Sequence, residues 1–388
     1  MDDEVQYWPG TLQCFYPMAR ARAALALVLS AIVGCTDTPR SVAIATTESQ
    51  QETDSQQDTV PRATMLALPV GRLVEGLRID GYEADLVPIE HILVSREGEI
   101  VISQPQDRAL VQFDARGVRQ RSFGAPGSGP GEFIALDYAG WLADSLWVID
   151  APRGRATIIA PDFEYFRSMS LPASSIYAVT NKGWVARADL DVVVVGDSRV
   201  FLDSIPNVVL QRDILTRDYS NLPRYSMSAD GARLAMVSAP PIGQLPSHVT
   251  VSVTGIDGAR VFSRVYPLAS ATVSPVQWDS IMDAIADGVT DSSPEERAQI
   301  RELLRTLPVP PALPPVYDVL FSNDHHVWIR LLDAAGLHYL VLSPEGDPLG
   351  RLQLPENSQV RAADGDLIYV VEEDEYGVDS VVRYQVRW

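Results

Sequence analysis

Asp144-Ser145-Leu146-Trp147-Val148-Ile149 sets a polar turn directly against four consecutive apolar residues. That is the pattern of a short strand buried on both faces and entered from a tight turn. The arrangement returns as Gly98-Glu99-Ile100-Val101-Ile102-Ser103 and as His325-His326-Val327-Trp328-Ile329-Arg330. Weaker copies are Lys182-Gly183-Trp184-Val185-Ala186, Gly231-Ala232-Arg233-Leu234-Ala235-Met236 and Gly365-Asp366-Leu367-Ile368-Tyr369-Val370. In each copy a polar break follows, then a second strand ending near an acidic residue and a glycine.

Taking Ile100, Leu146, Trp184, Leu234, Val327 and Ile368 as equivalent gives spacings of 46, 38, 50, 93 and 41 residues. A period of roughly 40 to 50 in β-sequence is that of a propeller, whose blades bury their faces only against neighbours. The long interval contains material of another kind, 274–315, and falls to 51 residues without it. The expectation is therefore an all-β, six-bladed β-propeller over 63–388, with a helical and proline-rich insertion between blades 4 and 5. The last unit has three strand candidates, near 359–362, 367–372 and 380–386, so the N-terminal stretch 65–73 is expected to supply the fourth and close the ring.

Within the insertion, Trp278, Ile281, Met282 and Ile285 share a face at helical spacing, which predicts a helix over 277–285. Ser293-Pro294-Glu295-Glu296 is a capping box with proline at the first helical position, opening a second helix to about Leu307. Pro308, Pro310, Pro311, Pro314 and Pro315 end it. The pair reads either as a hairpin decorating the propeller or as a lid or docking surface over one mouth of its channel.

Arg108-Ala109-Leu110-Val111-Gln112-Phe113-Asp114, Gly117 and the run Ser122-Phe123-Gly124-Ala125-Pro126-Gly127-Ser128-Gly129-Pro130-Gly131-Glu132-Phe133 together resemble the outer strand and inter-blade connector of the NHL-like six-bladed β-propellers. The resemblance spans roughly 65–388 and carries fold rather than activity. A phosphate-cradling loop is the competing reading of these glycines. It requires a helix immediately afterwards, whereas Phe133-Ile134-Ala135-Leu136-Asp137-Tyr138 leads into another strand.

Ahead of the repeats, Met18-Ala19-Arg20-Ala21-Arg22 is a basic segment, and 23–33 is apolar or small throughout apart from Ser30. It is shorter than the ~20 residues a membrane-spanning helix needs, so it suits a signal peptide, 1–34, better than a permanent anchor. Asp2, Asp3 and Glu4 are acidic where a signal peptide should begin basic, which points to translation starting at Met18. The segment ends in Ile32-Val33-Gly34-Cys35, which resembles the lipobox of bacterial lipoprotein precursors. That resemblance implies lipidation of Cys35, a membrane contact through it, and a place in the cell envelope. Thr36 stands where aspartate would signal inner-membrane retention, which favours the outer membrane. From Cys35 to Arg62 the chain is polar, and it is expected to be a flexible tether, 35–62, spanning about 30 Å.

The formal charge of −20 argues against nucleic-acid partners. Lys182 is the only lysine, a bias of arginine-rich codon usage. Both cysteines, Cys14 and Cys35, precede the propeller, so it has no disulfide and no thiolate chemistry. Histidine is scarce: His91, His248, His325, His326 and His338. Successive strand residues face opposite ways, so His325 and His326 would not share a site if both are extended, and no zinc trio can be assembled. Calcium held by Asp150, Glu372 and Asp374 is conceivable by analogy with propeller lactonases, but no cofactor is expected. There is no Gly-x-Ser-x-Gly elbow, and no catalytic residues are assigned. Glu372-Glu373-Asp374-Glu375 reads as a hairpin tip, and Trp147, Trp184 and Trp328 read as blade core.

Ligands of propellers meet the channel mouth just after inner strands, and Asp150, Arg153, Arg187, Arg330 and Glu372 occupy such places. These are the expected binding residues. The resulting expectation is a monomeric binding or scaffold protein whose ligand is a protein, a peptide or a small molecule. A metal-dependent propeller hydrolase or lyase of the lactonase type is the alternative.

Overall fold

The structure, a computed structural model, describes residues 58–86, 88–171, 176–188, 191–195, 199–204, 223–240, 245–287, 293–306, 309–355 and 357–388. Cys14, Cys35 and the stretches expected to be a signal peptide and, up to residue 57, a tether lie outside them. The chain divides into two compact units: 59–272 with 312–388, and a second whose described residues are Asp58, 273–287, 293–306 and 309–311.

The larger unit is a β-propeller of antiparallel sheets taken in chain order. Sheet I comprises Ile92–Val94, Ile100–Gln104, Ala109–Phe113 and Arg119–Phe123; sheet II comprises Tyr138–Leu142, Ser145–Asp150, Arg155–Ile159 and Tyr165–Ser170. Sheet III is built from Ile176–Thr180, Gly183–Ala188, Asp191–Val195 and Arg199–Ser204. Sheet IV holds Arg224–Met227, Arg233–Ser238, His248–Gly255 and Arg260–Pro267, with the two-residue strand Asp58–Thr59 at its edge. Sheet V contains Val316–Phe321, Val327–Asp333, Gly336–Leu342 and Pro348–Leu352; sheet VI contains Ser358–Asp364, Leu367–Glu373, Asp379–Arg387 and, from the other end of the chain, Arg72–Ile79. Five of these sheets have the four strands of a blade, and sheet IV has five.

Each of the six sequence copies forms the second strand of its sheet. Ile100–Gln104 is buried at every position, as is Val327–Asp333, whereas the fourth strand Arg119–Phe123 is exposed at four of five. The physical reason is that second strands are covered on both faces by the adjoining sheets, while fourth strands lie at the rim. Accordingly the core is divided into layers between sheets. Ile102, Val111 and Tyr369 join sheets I and VI; Val101, Leu110 and Val148 join I and II; Val251 and Ile329 join IV and V; Trp328 and Val370 join V and VI. Each such aliphatic side chain contributes roughly 1.5–3 kcal/mol by its burial. Trp147 and Trp328 are buried as expected, and Trp184 packs against the layer that contains Trp147.

The polar turn of the repeat has a specific device. Ser95 Oγ accepts from the amides of Glu97 and Glu99, Thr180 Oγ1 from Lys182, Ser228 Oγ from Ala232 and Arg233, and Ser322 Oγ from His326. One hydroxyl at the end of the first strand thus closes the turn in sheets I, III, IV and V.

The closing strand differs from expectation. It is Arg72–Ile79, paired with Asp379–Arg387 from Arg72↔Arg387 to Ile79↔Val381, rather than 65–73. Met65 instead sits in a short helix, Arg62–Leu66, buried among residues of sheets IV and V, where its apolar side chain is better covered than in a rim strand. The last residues of the stretch expected to be a tether, 58–62, belong instead to the described structure. Val60 is buried and its amide donates to the Val265 carbonyl at 2.9 Å, because an apolar residue there can extend the edge of sheet IV. Between helix and closing strand, the Gly71 amide donates to the Arg351 carbonyl (2.8 Å), the Arg351 amide to Pro69 (2.9 Å), and the Arg351 guanidinium to Met65 (2.9 Å). Residues 59–79 therefore run as a belt over the outer strands of sheets IV, V and VI.

The smaller unit has two helices, Pro275–Asp287, longer at both ends than the expected 277–285, and Pro294–Arg305, which stops two residues short of the expected end near Leu307. Ser293 and Glu296 form the expected reciprocal capping box. Arg305 reaches Asp283 at 3.4 Å, and Arg301 pairs with Asp287.

Candidate functional site

The first strands adjoin one another from sheet to sheet: Ile92–Val94 lies beside Tyr138–Leu142 and Ser358–Asp364, and Val316–Phe321 beside Arg224–Met227 and Ser358–Asp364. In a propeller these line the central channel, and polar side chains converge where they begin. Glu90 and His91 enter sheet I with their backbone already in its ladder, the Ser103 amide donating to the His91 carbonyl (2.9 Å) and the Glu90 amide to Ser103 (3.3 Å). The preceding amide, of Ile89, donates to Asp379 Oδ2 of sheet VI at 2.8 Å.

His91 Nε2 lies 3.2 Å from the carbonyl oxygen of Asp137, at the entry of sheet II, and its ring stands 6.2 Å from that of Tyr138. Burial pushes the imidazole down to about 4, and the Arg361 guanidinium of sheet VI pushes the same way. The ring is therefore neutral at pH 7. A neutral ring donating through Nε2 to a carbonyl carries its lone pair on Nδ1. Burial raises Asp379 above the usual carboxylate range, opposed by the Ile89 amide and Arg361.

On the other side of sheet VI, Gln359 Nε2 donates to Asp318 Oδ2 of sheet V at 2.9 Å, and Tyr339 Oη accepts from the Val360 amide at 3.1 Å. The Tyr339 phenol is raised by burial, in a field set by Arg330, Asp318 and Arg361. Four sheets thus bring together a neutral imidazole, a guanidinium, carboxylates, an amide and a phenol. Tyr339 is buried, so the half-buried His91, Asp318, Gln359 and Arg361 are the members that can meet a polar ligand.

Of the residues expected at the mouth, only Arg330 is drawn into this set. It is buried and lies directly opposite Asp318 and Tyr339 in the ladder of sheet V. Asp150 is fully buried, and its carboxylate accepts from the amides of Ile134 (3.2 Å) and Ala135 (3.3 Å), holding the connector between sheets I and II. Glu372 accepts from Tyr384 Oη (2.5 Å) and Arg78 (2.9 Å), both on the rim side of its strand. Arg153 is exposed on a single 3₁₀ turn, Ala151–Arg153. Arg187 lies in Gly183–Ala188, with its side chain outside what the structure describes. Asp374 closes its own hairpin turn, accepting from the amides of Tyr376 (2.8 Å) and Val378 (2.9 Å), as the hairpin-tip reading implies. Among the described residues, no three side chains of His, Cys, Asp or Glu are grouped to hold a metal ion.

His325 and His326 do diverge, although as turn residues rather than strand residues. His325 has φ +67° and reaches Asp230 of sheet IV (2.9 Å), while His326 pairs with Asp324 (2.7 Å). The glycine connector is a cradle already filled by its own chain. The amides of Ser128 and Gly129 both donate to Glu132 Oε2 at 2.7 Å, and Gly127, at φ +154°, leaves room for that carboxylate.

Comparison by sequence finds no matching family model and no matching curated protein. Solved structures with a similar course of the chain include a member of the DUF4221 family from Bacteroides vulgatus, at 10% identity over 82% of this chain and 98% of that one, TM-score 0.44. A virginiamycin B lyase from Staphylococcus aureus matches at 11% identity over 81% and 99%, TM-score 0.37. Regucalcin, a calcium-binding protein from Agrobacterium tumefaciens, matches at 10% over 82% and 97%, TM-score 0.38. Among the described residues no helix is long and apolar enough to cross a membrane.

Proposed function

We propose that this chain is a six-bladed propeller held at the bacterial envelope through lipidated Cys35, binding a small polar ligand at the axial mouth around His91, Arg361 and Gln359. Sheet IV counts as the sixth blade, because its first four strands repeat the order of the others and Asp58–Thr59 is added outside them. The observation that carries the binding reading is the His91 imidazole, held between sheets I and II and kept neutral beside the Arg361 of sheet VI. A neutral donor–acceptor ring beside a guanidinium suits recognition of a polar ligand by hydrogen bonds and charge.

Two experiments test this. Cys35→Ser should move the protein from the membrane to the soluble fraction; a mutant that stays in the membrane fraction removes the anchor from the reading. A thermal-shift screen of sugars, amino acids and small acids against the full chain should yield a stabilising ligand whose effect disappears in Arg361→Ala and Gln359→Ala. Stoichiometric calcium or zinc accompanied by metal-dependent esterase turnover would instead make the protein a hydrolase or lyase.

A further inference from the structure

The turn that follows the first strand of sheet V, 322–326, touches three other sheets at the end of the channel away from His91. Asn323 donates through its amide to the Ala363 carbonyl of sheet VI (3.0 Å) and through Nδ2 to the Val94 carbonyl of sheet I (3.4 Å). His325 Nε2 meets Asp230 Oδ2, in the corresponding turn of sheet IV, at 2.9 Å. We propose that this turn is a proton-operated latch across the far end of the channel, set while His326 carries its charge and slackened when it does not. It is independent of any ligand at the axial mouth.

The turn is held by its own polar groups. The Ser322 amide donates to the His326 carbonyl (2.9 Å), the His325 amide to the Ser322 carbonyl (3.0 Å) and the His326 amide to Ser322 Oγ (3.0 Å). The Ser322 hydroxyl donates to Asp324 Oδ1, and the other oxygen of that carboxylate, Oδ2, pairs with His326 Nδ1 at 2.7 Å. A Cβ on Gly365 would stand 3.8 Å from Asp324 Oδ2, so the same oxygen faces the turn of sheet VI. In that turn Asp364 is raised above the usual carboxylate range by burial and by Asp324, while Asn323 holds it down. The charged groups that bear on His326 are carboxylates from three turns: Asp324 of its own, Asp366 of sheet VI, and Glu345 between the third and fourth strands of sheet V.

A charged His326 is the cation among these groups. Without its proton, Asp324, Asp364, Asp366 and Glu345 face one another with that cation gone, and like charges at close range repel. The Asp324 carboxylate raises His326 above the ordinary imidazole value of 6.5 against partial burial, and Asp366 and Glu345 push the same way. Burial opposes ionisation of Asp324, yet His326 and Ser322 hold it down to about 2, so its charge persists above that pH. The contribution of the pair is therefore fully present below pH 6.5 and is lost as pH rises through the folded value of His326. The long bond from Asn323 to Val94 is the first to give. His91, at the other end of the channel, loses its contribution in the opposite direction, as pH falls from 6.5 toward 4. Acid therefore tightens one end of the channel and weakens the other.

Hydrogen exchange reads the latch directly. In the full chain in detergent, the amides of 321–327 are followed by mass spectrometry at pH 5.5 and pH 8.5, after correction for the intrinsic pH dependence of exchange. Their protection should be several-fold lower at pH 8.5, while the connector 124–133, which holds no histidine, shows no loss at the higher pH. His326→Gln should leave the turn weakly protected at both values, His326→Lys should keep protection at pH 8.5, and His325→Gln should leave the difference in place. Melting transitions of the variants verify that they are folded. Equal protection at both pH values in the native chain overturns the proposal without recourse to any variant, and so does a difference that survives His326→Gln.

Discussion

His91 is the residue at which pH acts most directly on the axial mouth. Its folded-state value, about 4, lies below that of an unfolded histidine at 6.5. The stability that goes with the neutral ring is therefore present above pH 6.5 and is lost as pH falls from 6.5 toward 4. With a quarter of the side chain exposed, the loss should be roughly 2 kcal/mol by pH 4.5. Urea unfolding at pH 7 and pH 4.5 should show it in the native chain, and His91→Gln should flatten the difference; an unchanged difference would mean the ring titrates normally. The sequence marked His91 only as one of five histidines. What makes it distinctive is the Asp137 carbonyl and Arg361, which lie 46 and 270 residues away, and no local pattern reports such a meeting. Asp150 shows the converse: its position after a second strand was legible, but the two connector amides that occupy its carboxylate were not.

Single elements followed the sequence where burial alone decides them. The second strands were legible because a strand covered on both faces must be continuously apolar, and Leu146, Val327 and Ile368 satisfy that without reference to partners. The packing between strands is less visible. Gly140 pairs with Trp147, and a Cβ there would stand 2.5 Å from the indole Cζ2. Gly140→Ala should displace the ring, break its bond to the Trp141 carbonyl and cost about 1–3 kcal/mol by overpacking. A lower urea midpoint with altered tryptophan fluorescence is the expected result, and an unshifted midpoint would show that the strand pair can slide apart. His325 and His326 read as the head of a strand and are the turn before it. The cue was Ser322, whose hydroxyl closes that turn as Ser228 closes its counterpart. Turn closure depends on where a hydroxyl lies relative to the strand end, and that boundary is the least visible part of a sequence.

At the scale of the molecule, closure between the two ends of the chain was legible as a need, since three strands at the C-terminus leave a blade incomplete. The donor was misplaced by several residues, because 65–73 is the more continuously apolar stretch while 72–79 is interrupted by Glu75 and Arg78, and only the pairing with Asp379–Arg387 identifies the latter. The contribution of each stretch can be measured by truncation. Against a chain cut after residue 57, removal through residue 71 deletes the buried Met65 and the Val60 and Arg351 contacts, and should lower stability by roughly 2–4 kcal/mol. Removal through residue 79 should abolish the cooperative transition altogether, since sheet VI then loses its fourth strand. If the second truncation melts like the first, the ring does not depend on that strand. Under the proposed anchor at Cys35, the belt has one more consequence. Drag on the propeller would be transmitted to Val60 first, then to the helix and its Arg351 clasp, and only afterwards to the strand that closes the ring. If each gave way separately it would release length as it did, and the first two would act as shock absorbers in front of the strand that closes the circle.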